Sequence, residues 1–246
     1  MERGSKFYAG KANTLYEVLD DSGDVLPNVI EMECTDRISA GDGDKKDVVE
    51  GKGYANNLVS TLLFKKFAAA GVPTHFISEG TTPASKFVRW AVMIPLEVIG
   101  RDFAAGSFCR RYGVEKGRAF DPVLVEFTYK NDALHDPLIT DDAAVQLGLV
   151  TKDDVDKIYV YMDVINKVAS DFFAELGLTL VDFKVEFGYN EGTGELMLCD
   201  EFSQDTCRLW DADGNSVDKD LFREGKSGKA VSDVYQKLVS MLEAME

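Results

Sequence analysis

Apolar and polar residues alternate over short stretches at the start of the chain, as they do in strands with one buried face. The pattern predicts strands at Ser5–Ala9, Thr14–Val18 and Val29–Glu33, because residues with a period of two face opposite sides of a sheet. Gly10-Lys11 is the predicted tight turn between the first two strands. Antiparallel β structure should therefore dominate the first third of the sequence.

Helical spacing, with apolar residues every three or four positions, marks three longer segments. It predicts a helix at Gly53–Ala70, the longest helix at Lys152–Leu176 and a last helix at about Ala230–Ala244. Thr151 precedes the longest helix and belongs to the residue types that cap helix starts, while Gly177 can end that helix. The sequence is therefore predicted to combine helices with antiparallel sheets.

The segment between the first two of these helices should contain three more strands. They are Thr74–Ser78, Lys86–Met93 and Leu96–Arg101. Pro95 should interrupt them, because proline has no N–H to give to a central strand. A lobe boundary placed here divides the chain into a β-rich N-terminal lobe, residues 1–92, and an α+β C-terminal lobe, residues 93–246. Gly41-Asp42-Gly43 opens a polar loop that we expect to be mobile.

A hairpin in the last third of the sequence carries the pattern with the clearest chemistry. Its predicted strands are Thr179–Phe187 and Glu195–Phe202. Alternation puts Asp182, Lys184 and Glu186 on one face and apolar residues on the other. An antiparallel register with an even residue sum would bring Asp200 beside Asp182 and Glu186, and converging carboxylates suit Mg²⁺. The same pattern also fits an outer hairpin with a solvated charged face.

The charge balance excludes whole classes of partner. The 246 residues include 27 Lys and Arg against 43 Asp and Glu, a formal charge of −16, so nucleic acid and anionic membranes are not expected partners. The polar start has no signal-peptide core, and no apolar run approaches the roughly 20 residues of a membrane span. The four cysteines are widely spaced, which predicts reduced thiols in the cytoplasm and neither a disulfide framework nor a zinc site.

Basic residues are concentrated locally despite the negative total. Arg101–Arg118 holds five basic and two acidic residues around Ala104–Ser107, which could offer N–H groups and a hydroxyl to a phosphate. Further candidate anion or substrate sites are the turn at Gly10-Lys11, the loop Lys130–Pro137 and the segment Asp205–Asp211. Each of these patterns is also compatible with an ordinary turn, a paired basic face or a capped loop.

Eight segments, in order along nearly the whole chain, together resemble the SAICAR synthetase (phosphoribosylaminoimidazole-succinocarboxamide synthase) family of purine biosynthesis. They are Tyr8–Tyr16 (YAGKANTLY), Ser39–Gly43 (SAGDG), Glu50–Asn57 (EGKGYANN), Ile94–Val98 (IPLEV), Ala104–Ser107 (AAGS), Lys130–Pro137 (KNDALHDP), Val181–Gly188 (VDFKVEFG) and Asp200–Asp211 (DEFSQDTCRLWD). One such segment would carry little weight, whereas eight in the family's order make a strong resemblance.

The resemblance implies a two-lobe α+β fold related to ATP-grasp enzymes, with antiparallel sheets and an ATP cleft between the lobes. It implies an ATP-dependent amide ligase that joins L-aspartate to the carboxylate of the carboxyaminoimidazole ribonucleotide CAIR through an acyl phosphate, giving SAICAR, ADP and phosphate. The implied partners are these small molecules and Mg²⁺. A cytoplasmic homo-oligomer, with a dimer favoured, is the expected state.

The resemblance also implies a role for individual residues at matching positions. The ATP phosphates would contact Lys11 and Lys130, adenine would face the backbone at Ala91, and Mg²⁺ would be held by Glu186 and Asp200. The CAIR phosphate would be cradled by Arg101, Ser107 and Arg208, with Asp136 in the substrate pocket. The catalytic pair would be Asp182, near the imidazole amino group, and Lys184, beside the acyl phosphate.

The sequence departs from the family pattern at three places, all near the expected nucleotide and substrate sites. Asn13 stands where a lysine is common, Gly100–Phe103 replaces the usual V-R-N-x, and Trp90-Ala91 replaces a Lys-Leu pair. These departures bear on nucleotide affinity. Two alternatives remain beside the ligase: a kinase or ligase of the same fold acting on another carboxylate or hydroxyl, and a catalytically silent nucleotide-binding or scaffold protein.

Overall fold

Strands run through both halves of this computed structural model, which describes residues 1–40 and 45–244. In chain order they are β1 (Glu2–Ala9), β2 (Asn13–Leu19), β3 (Val25–Cys34), β4 (Arg37–Ala40), β5 (Lys45–Val48), β6 (Phe76–Glu79), β7 (Ser85–Arg89), β8 (Ala91–Phe103), β9 (Ala119–Tyr129), β10 (Leu138–Ile139), β11 (Thr179–Asn190), β12 (Leu196–Cys199) and β13 (Cys207–Trp210). The loop predicted at residues 41–43 lies outside the described residues.

The helices agree with the sequence-based prediction where the apolar spacing is longest. They are α1 (Lys52–Ala69), α2 (Gly106–Tyr112), α3 (Asp141–Gln146), α4 (Lys152–Glu175), α5 (Asp220–Arg223) and α6 (Gly228–Glu243), with a 3₁₀ turn at Asp132–Leu134. The Thr151 hydroxyl accepts a hydrogen bond from the Asp154 N–H, which confirms the predicted cap of α4. Among the described residues, no helix combines the length and apolar character that a membrane crossing requires.

Two large antiparallel sheets divide the chain, and β4 and β5 form a separate two-stranded sheet. The N-terminal sheet has the order β1-β2-β3-β7-β6, and the C-terminal sheet has the order β10-β9-β8-β11-β12, with β13 also paired to β11. The chain passes from one sheet to the other at Trp90, between β7 and β8. The antiparallel sheets and the α+β class agree with the expected fold.

Strand β8 corrects the prediction that Pro95 separates two strands. The chain from Ala91 to Phe103 is one strand. Its pairing with β11 shifts between Glu97, opposite Glu186, and Met93, opposite Gly188. This irregularity accommodates Pro95, because a residue displaced from the ladder does not need the N–H that proline lacks. The carbonyl of Pro95 instead accepts a hydrogen bond from the Lys130 N–H at 3.0 Å.

Strand β11 is paired on both edges over most of its length. One edge pairs with β8, while the other pairs first with β13, from Thr179 to Phe183, and then with β12, from Glu186 to Tyr189. Between these two ladders the N–H of Lys184 donates to the carbonyl of Thr206 at 2.7 Å. The connection from β12 to β13 therefore passes beside Lys184.

Helix α1 packs into the same core as the C-terminal sheet. Phe64 and Phe67 of α1 are fully buried in a cluster with Phe173 of α4 and with Phe183 of β11. Phe202 packs between these elements, 5.5 Å from Phe67 and 5.2 Å from Phe183 between ring centroids. Burial of each such ring contributes about 1.5–3 kcal/mol. This core fixes the back of β11, so that its polar face is held toward the other sheet.

Candidate active site

A cavity of about 540 Å³ lies between the two sheets. Leu15, Ile30 and Val88 of the N-terminal sheet form an apolar part of its wall, and Met93 continues that wall on β8. Of the residues predicted to act at the site, those lining the cavity are Lys11, Ala91, Lys130, Asp136, Lys184, Glu186 and Asp200. The four others, Arg101, Ser107, Asp182 and Arg208, lie in a separate polar cluster along β11 and are described below.

The polar face of β11 is arranged as its alternation predicts. Val181, Phe183 and Val185 are each at most 1% exposed and point into the core. Lys184 and Glu186 line the cavity on the opposite face. A solvated outer hairpin is therefore the wrong interpretation, because the charged face is enclosed.

Asp200 reaches this face by a different route from the one expected. The β11–β12 ladder pairs Glu186 with Cys199, so the residue sum is odd and the even-sum register is wrong. The strand β12 ends at Cys199, and Asp200 adopts a left-handed backbone with φ 59°. This backbone takes Asp200 out of the strand alternation, and its Oδ2 lies 3.8 Å from Nζ of Lys184.

The charges around Glu186 are uneven. Its two oxygens accept hydrogen bonds from Lys184 at 2.7 Å and from Lys130 at 2.5 Å. Burial disfavours the carboxylate, but these two ammonium groups lower the pKa of Glu186 below its ordinary value. Burial, and then the negative charge of Glu186, raise the pKa of Asp200. Of these two carboxylates, Asp200 is therefore the one whose charge the protein neutralises less.

Asp182 sits at the centre of a chain of guanidinium and carboxylate groups. On β8, Nη1 of Arg101 lies 2.5 Å from Oδ2 of Asp182, and on β13, Nη1 of Arg208 lies 3.0 Å and 2.8 Å from its two oxygens. Both arginines are opposite Asp182 in the strand register. This geometry brings three of the predicted residues together through direct charge-assisted hydrogen bonds.

The series of ion pairs continues through Glu126 and Asp220, which the sequence patterns did not single out, and through Arg111 of the basic segment Arg101–Arg118. Glu126 accepts from Nε of Arg101 at 2.7 Å and from Nη2 of Arg111 at 2.6 Å. Arg111 also lies 3.3 Å from the hydroxyl of Ser107. At the other end, Asp220 accepts from Nε of Arg208 at 2.7 Å. Only the strand register and the position of α5 reveal these partners.

The loop after β9 lies across the mouth of the cavity from the turn after β1. The carboxylate of Asp136 accepts from the Asn131 N–H at 2.7 Å, and both His135 and Asp136 have left-handed backbones. Lys11 Nζ lies 3.0 Å from Oδ1 of Asp132. The two loops that carry predicted ATP contacts are therefore linked directly.

A buried ion pair beneath the cavity is a further feature that sequence reasoning missed. Lys52 of α1 is fully buried, and its Nζ lies 2.8 Å from Oδ2 of Asp205. The hydroxyl of Tyr235 donates to the other oxygen of Asp205 at 2.7 Å. Lys52 falls inside the segment EGKGYANN, which was the available signal. The pair connects α1 and α6 to the connection between β12 and β13.

Comparison with known proteins agrees with this architecture. The sequence matches the family model described as SAICAR synthetase over residues 6–241. A phosphoribosylaminoimidazole-succinocarboxamide synthase of Streptococcus agalactiae serotype V is 42% identical over 238 residues, 97% of each chain. That of Staphylococcus carnosus is 40% identical over 243 residues, 98% of this chain and 100% of the relative. The chain belongs to the SAICAR synthetase family.

Solved structures give the same result. The phosphoribosylaminoimidazole-succinocarboxamide synthase of Ehrlichia chaffeensis superposes with a TM-score of 0.88 at 34% identity, covering 98% of this chain and 100% of that one. A SAICAR synthetase in complex with ADP superposes with a TM-score of 0.85 at 37% identity, covering 95% and 96%. As a member of the SAICAR synthetase family, the protein carries out an ATP-dependent ligation of purine biosynthesis.

Proposed function

We propose that the cleft joins L-aspartate to the carboxylate of CAIR through an acyl phosphate. The observation that carries the proposal is the layout of β11, where Asp182 is bonded to two arginines while Lys184 and Glu186, on the same face, line the cavity. One strand face can thus hold a phosphorylated ribonucleotide at one end and the phosphates of ATP at the other. The reacting carboxylate would lie between them.

The chemistry proceeds in two substitutions. A carboxylate oxygen of CAIR attacks the γ-phosphorus of ATP, so that a new O–P bond forms and the bond to ADP breaks. The aspartate amine then attacks the activated acyl carbon, the C–N bond forms, phosphate leaves and the amine gives up a proton. Positioning and charge neutralisation account for most of the rate in such transfers.

The ATP side is assigned to the cavity wall. Lys11 and Lys130 would contact the phosphates, and the backbone at Ala91 would face adenine. The apolar wall that includes Ile30 and Val88 suits a purine ring. Lys184 would stabilise the acyl phosphate, since its ammonium lies in the cavity next to Glu186.

A divalent cation fits the donor set at the same place. Glu186 and Asp200 offer oxygen ligands 2.7 Å and 3.8 Å from the Lys184 ammonium, and the raised pKa of Asp200 indicates a carboxylate that a cation would stabilise. Two carboxylates leave room for water and phosphate oxygens, as Mg²⁺ prefers. Bound there, Mg²⁺ would neutralise charge on the transferred phosphoryl group.

The ribonucleotide side is assigned to the guanidinium chain. Arg101, Ser107 and Arg208 would hold the CAIR phosphate, Asp182 would accept from the imidazole amino group, and Asp136 would line the substrate pocket. The proposal is supported by Arg101 and Arg208 converging on Asp182. An arginine pair held by a shared carboxylate is rigid, so that little ordering is needed when an anion binds.

We also propose that the protein works as a cytoplasmic homodimer. All four cysteines are free thiols, the state expected in a reducing compartment. Large apolar side chains are exposed, among them Val92, Leu147 and Val160, and burial of such side chains favours association. Light scattering coupled to gel filtration would measure the mass of the assembly, and a monomer at micromolar concentration would contradict the dimer.

The test of the function is an assay for ADP release with CAIR and aspartate supplied together or singly. Sustained release should require CAIR, aspartate and Mg²⁺, because the acyl phosphate is consumed by the amine. ADP release from another carboxylate or hydroxyl substrate, with no dependence on aspartate, would indicate the related kinase instead. Binding of ATP without any turnover of CAIR would indicate a silent nucleotide-binding protein.

A further inference from the structure

Two arginines are bonded to Glu126, and Arg111 is the more exposed of the two. Its side chain is 30% exposed, compared with 3% for Arg101. Its Nη1 lies 3.3 Å from the hydroxyl of Ser107. Its Nη2 lies 2.6 Å and 2.8 Å from the two oxygens of Glu126. Glu126 thus holds the guanidinium through Nη2, while Nη1 faces Ser107.

Arg208 lies against the residue directly before Ser107. Gly106, directly before Ser107, has φ 57°, and a Cβ built there would lie 2.6 Å from Nη2 of Arg208. Any larger residue would displace the guanidinium, so glycine is required by this close approach as well as by its backbone. The Gly106-Ser107 segment is therefore contacted by two guanidinium groups, with Arg208 against Gly106 and Arg111 at the hydroxyl of Ser107.

The charges of this cluster leave an excess of cations. Its arginines are Arg101, Arg111, Arg208 and Arg223, and its carboxylates are Glu126, Asp182 and Asp220. One positive charge thus remains among the ion pairs of the described residues. Arg101 donates Nε to Glu126 and Nη1 to Asp182 and is buried. The guanidinium groups that an added anion could reach are therefore the more exposed ones, such as Arg111.

We propose that Arg111 is a direct ligand of the substrate phosphate, completing the site with Ser107 and Arg208, and that Glu126 is the positioning residue that holds it. This inference rests on the proposed function, which places the CAIR phosphate at Ser107. A guanidinium fork binds two phosphate oxygens at once and gives strong charge-assisted hydrogen bonds. Arg101, which the proposed function also places at this phosphate, is bonded to both Glu126 and Asp182.

The first test compares Arg111→Ala with Arg110→Ala. Both are exposed residues of α2, but Arg111 is the one bonded to Glu126, so Arg110 serves as the matched control. Because a hydrogen bond to a charged group contributes about 1.5–3 kcal/mol, Arg111→Ala should raise the KM for CAIR about 10–100-fold. The kcat and the KM for ATP should change by less than about threefold, and Arg111→Lys should recover part of the loss. Equal kinetics of the two alanine variants would overturn the assignment.

The second test separates phosphate binding from a structural role. Competition constants are measured for 5-aminoimidazole-4-carboxamide ribonucleotide and for the same molecule without its phosphate. Arg111→Ala should weaken the nucleotide and leave the nucleoside unchanged, and Glu126→Gln should do the same to a smaller degree. Equal weakening of both ligands would overturn the proposal. If the unaltered protein does not turn over CAIR at all, the proposed function itself fails. That outcome differs from failure of the Arg111 assignment, in which the unaltered protein is active and the variant weakens both ligands equally.

Discussion

The two ends of the polar face of β11 hold their charges in opposite ways. At one end Asp182 shares its carboxylate between Arg101 and Arg208, each within hydrogen-bond distance. At the other end the nearest cation to Asp200, Lys184, is 3.8 Å away and is itself bonded to Glu186. The first end is neutralised within the protein. The second carries a carboxylate whose charge costs stability, as active sites commonly do.

The largest effect is expected from Asp182→Asn. The substitution keeps the shape but leaves two guanidinium groups facing each other, and Arg101 is only 3% exposed. Breaking a buried pair in this way costs about 3–5 kcal/mol, so the free energy of unfolding measured in urea should fall by that amount. Asp213→Asn, at an exposed position, is the control. A loss below about 1 kcal/mol would show that the two ends do not differ as described.

The opposite result is expected from Asp200→Asn. Asparagine tolerates the left-handed backbone at φ 59°, and loss of a charge that burial disfavours should leave the free energy of unfolding unchanged or higher. The kcat should fall at least ~100-fold, as expected on removal of a strong electrostatic contributor. Steady-state kinetics and urea titration of the same sample test both parts, with exposed Glu195→Gln as control. Full activity would contradict the metal-ligand role.

Asp218, which lies next to Asp220 of the guanidinium chain, should make the free energy of unfolding depend on pH. Asp218 accepts from the N–H groups of Leu209 and Asp220. Burial, and then the charge of Asp220, raise the pKa of Asp218 to about 7, from 3.8. Because the folded state then binds more protons than the unfolded state, the free energy of unfolding should fall as pH rises between these two values.

Asp218→Asn should remove the part of this pH dependence that comes from the Asp218 carboxyl. The decrease in the free energy of unfolding between about pH 5 and pH 7 should become smaller by about 2 kcal/mol. Urea titrations at several pH values measure the slope directly, and a constant offset caused by the substitution does not affect it. The same slope in both proteins would mean that Asp218 is ionised in the folded protein throughout this range.

The sequence predicts those parts of the fold that depend on local periodicity. The apolar spacing of α1, α4 and α6 and the alternation along β11 are read directly, because each buried face is made by residues close in sequence. The continuity of β8 through Pro95 was not predictable, since it depends on the irregular pairing with β11 between Glu186 and Gly188. A displaced residue of this kind leaves no signal in the residue types alone.

The same distinction applies to the site. The resemblance to a family supplied the candidate residues, but not which carboxylate neutralises which cation. Glu126 is found only when the register of β8 and β9 places it opposite Ile99, from where it reaches Arg101. Asp200 reaches Lys184 through its backbone conformation, not through the strand register. Such contacts join residues far apart in sequence, so periodicity does not encode them.

The smallest effect is expected at the mouth of the cavity, where Lys11 and Asp132 pair with side chains 65% and 82% exposed. Water screens a pair this exposed, so Asp132→Asn should change the free energy of unfolding by less than about 0.5 kcal/mol. The substitution also lifts competition for the Lys11 ammonium, which should lower the KM for ATP slightly and by less at high salt. A KM for ATP that rises instead would show that Asp132 holds Lys11 in its binding position, and that this exposed pair behaves like the buried end of β11.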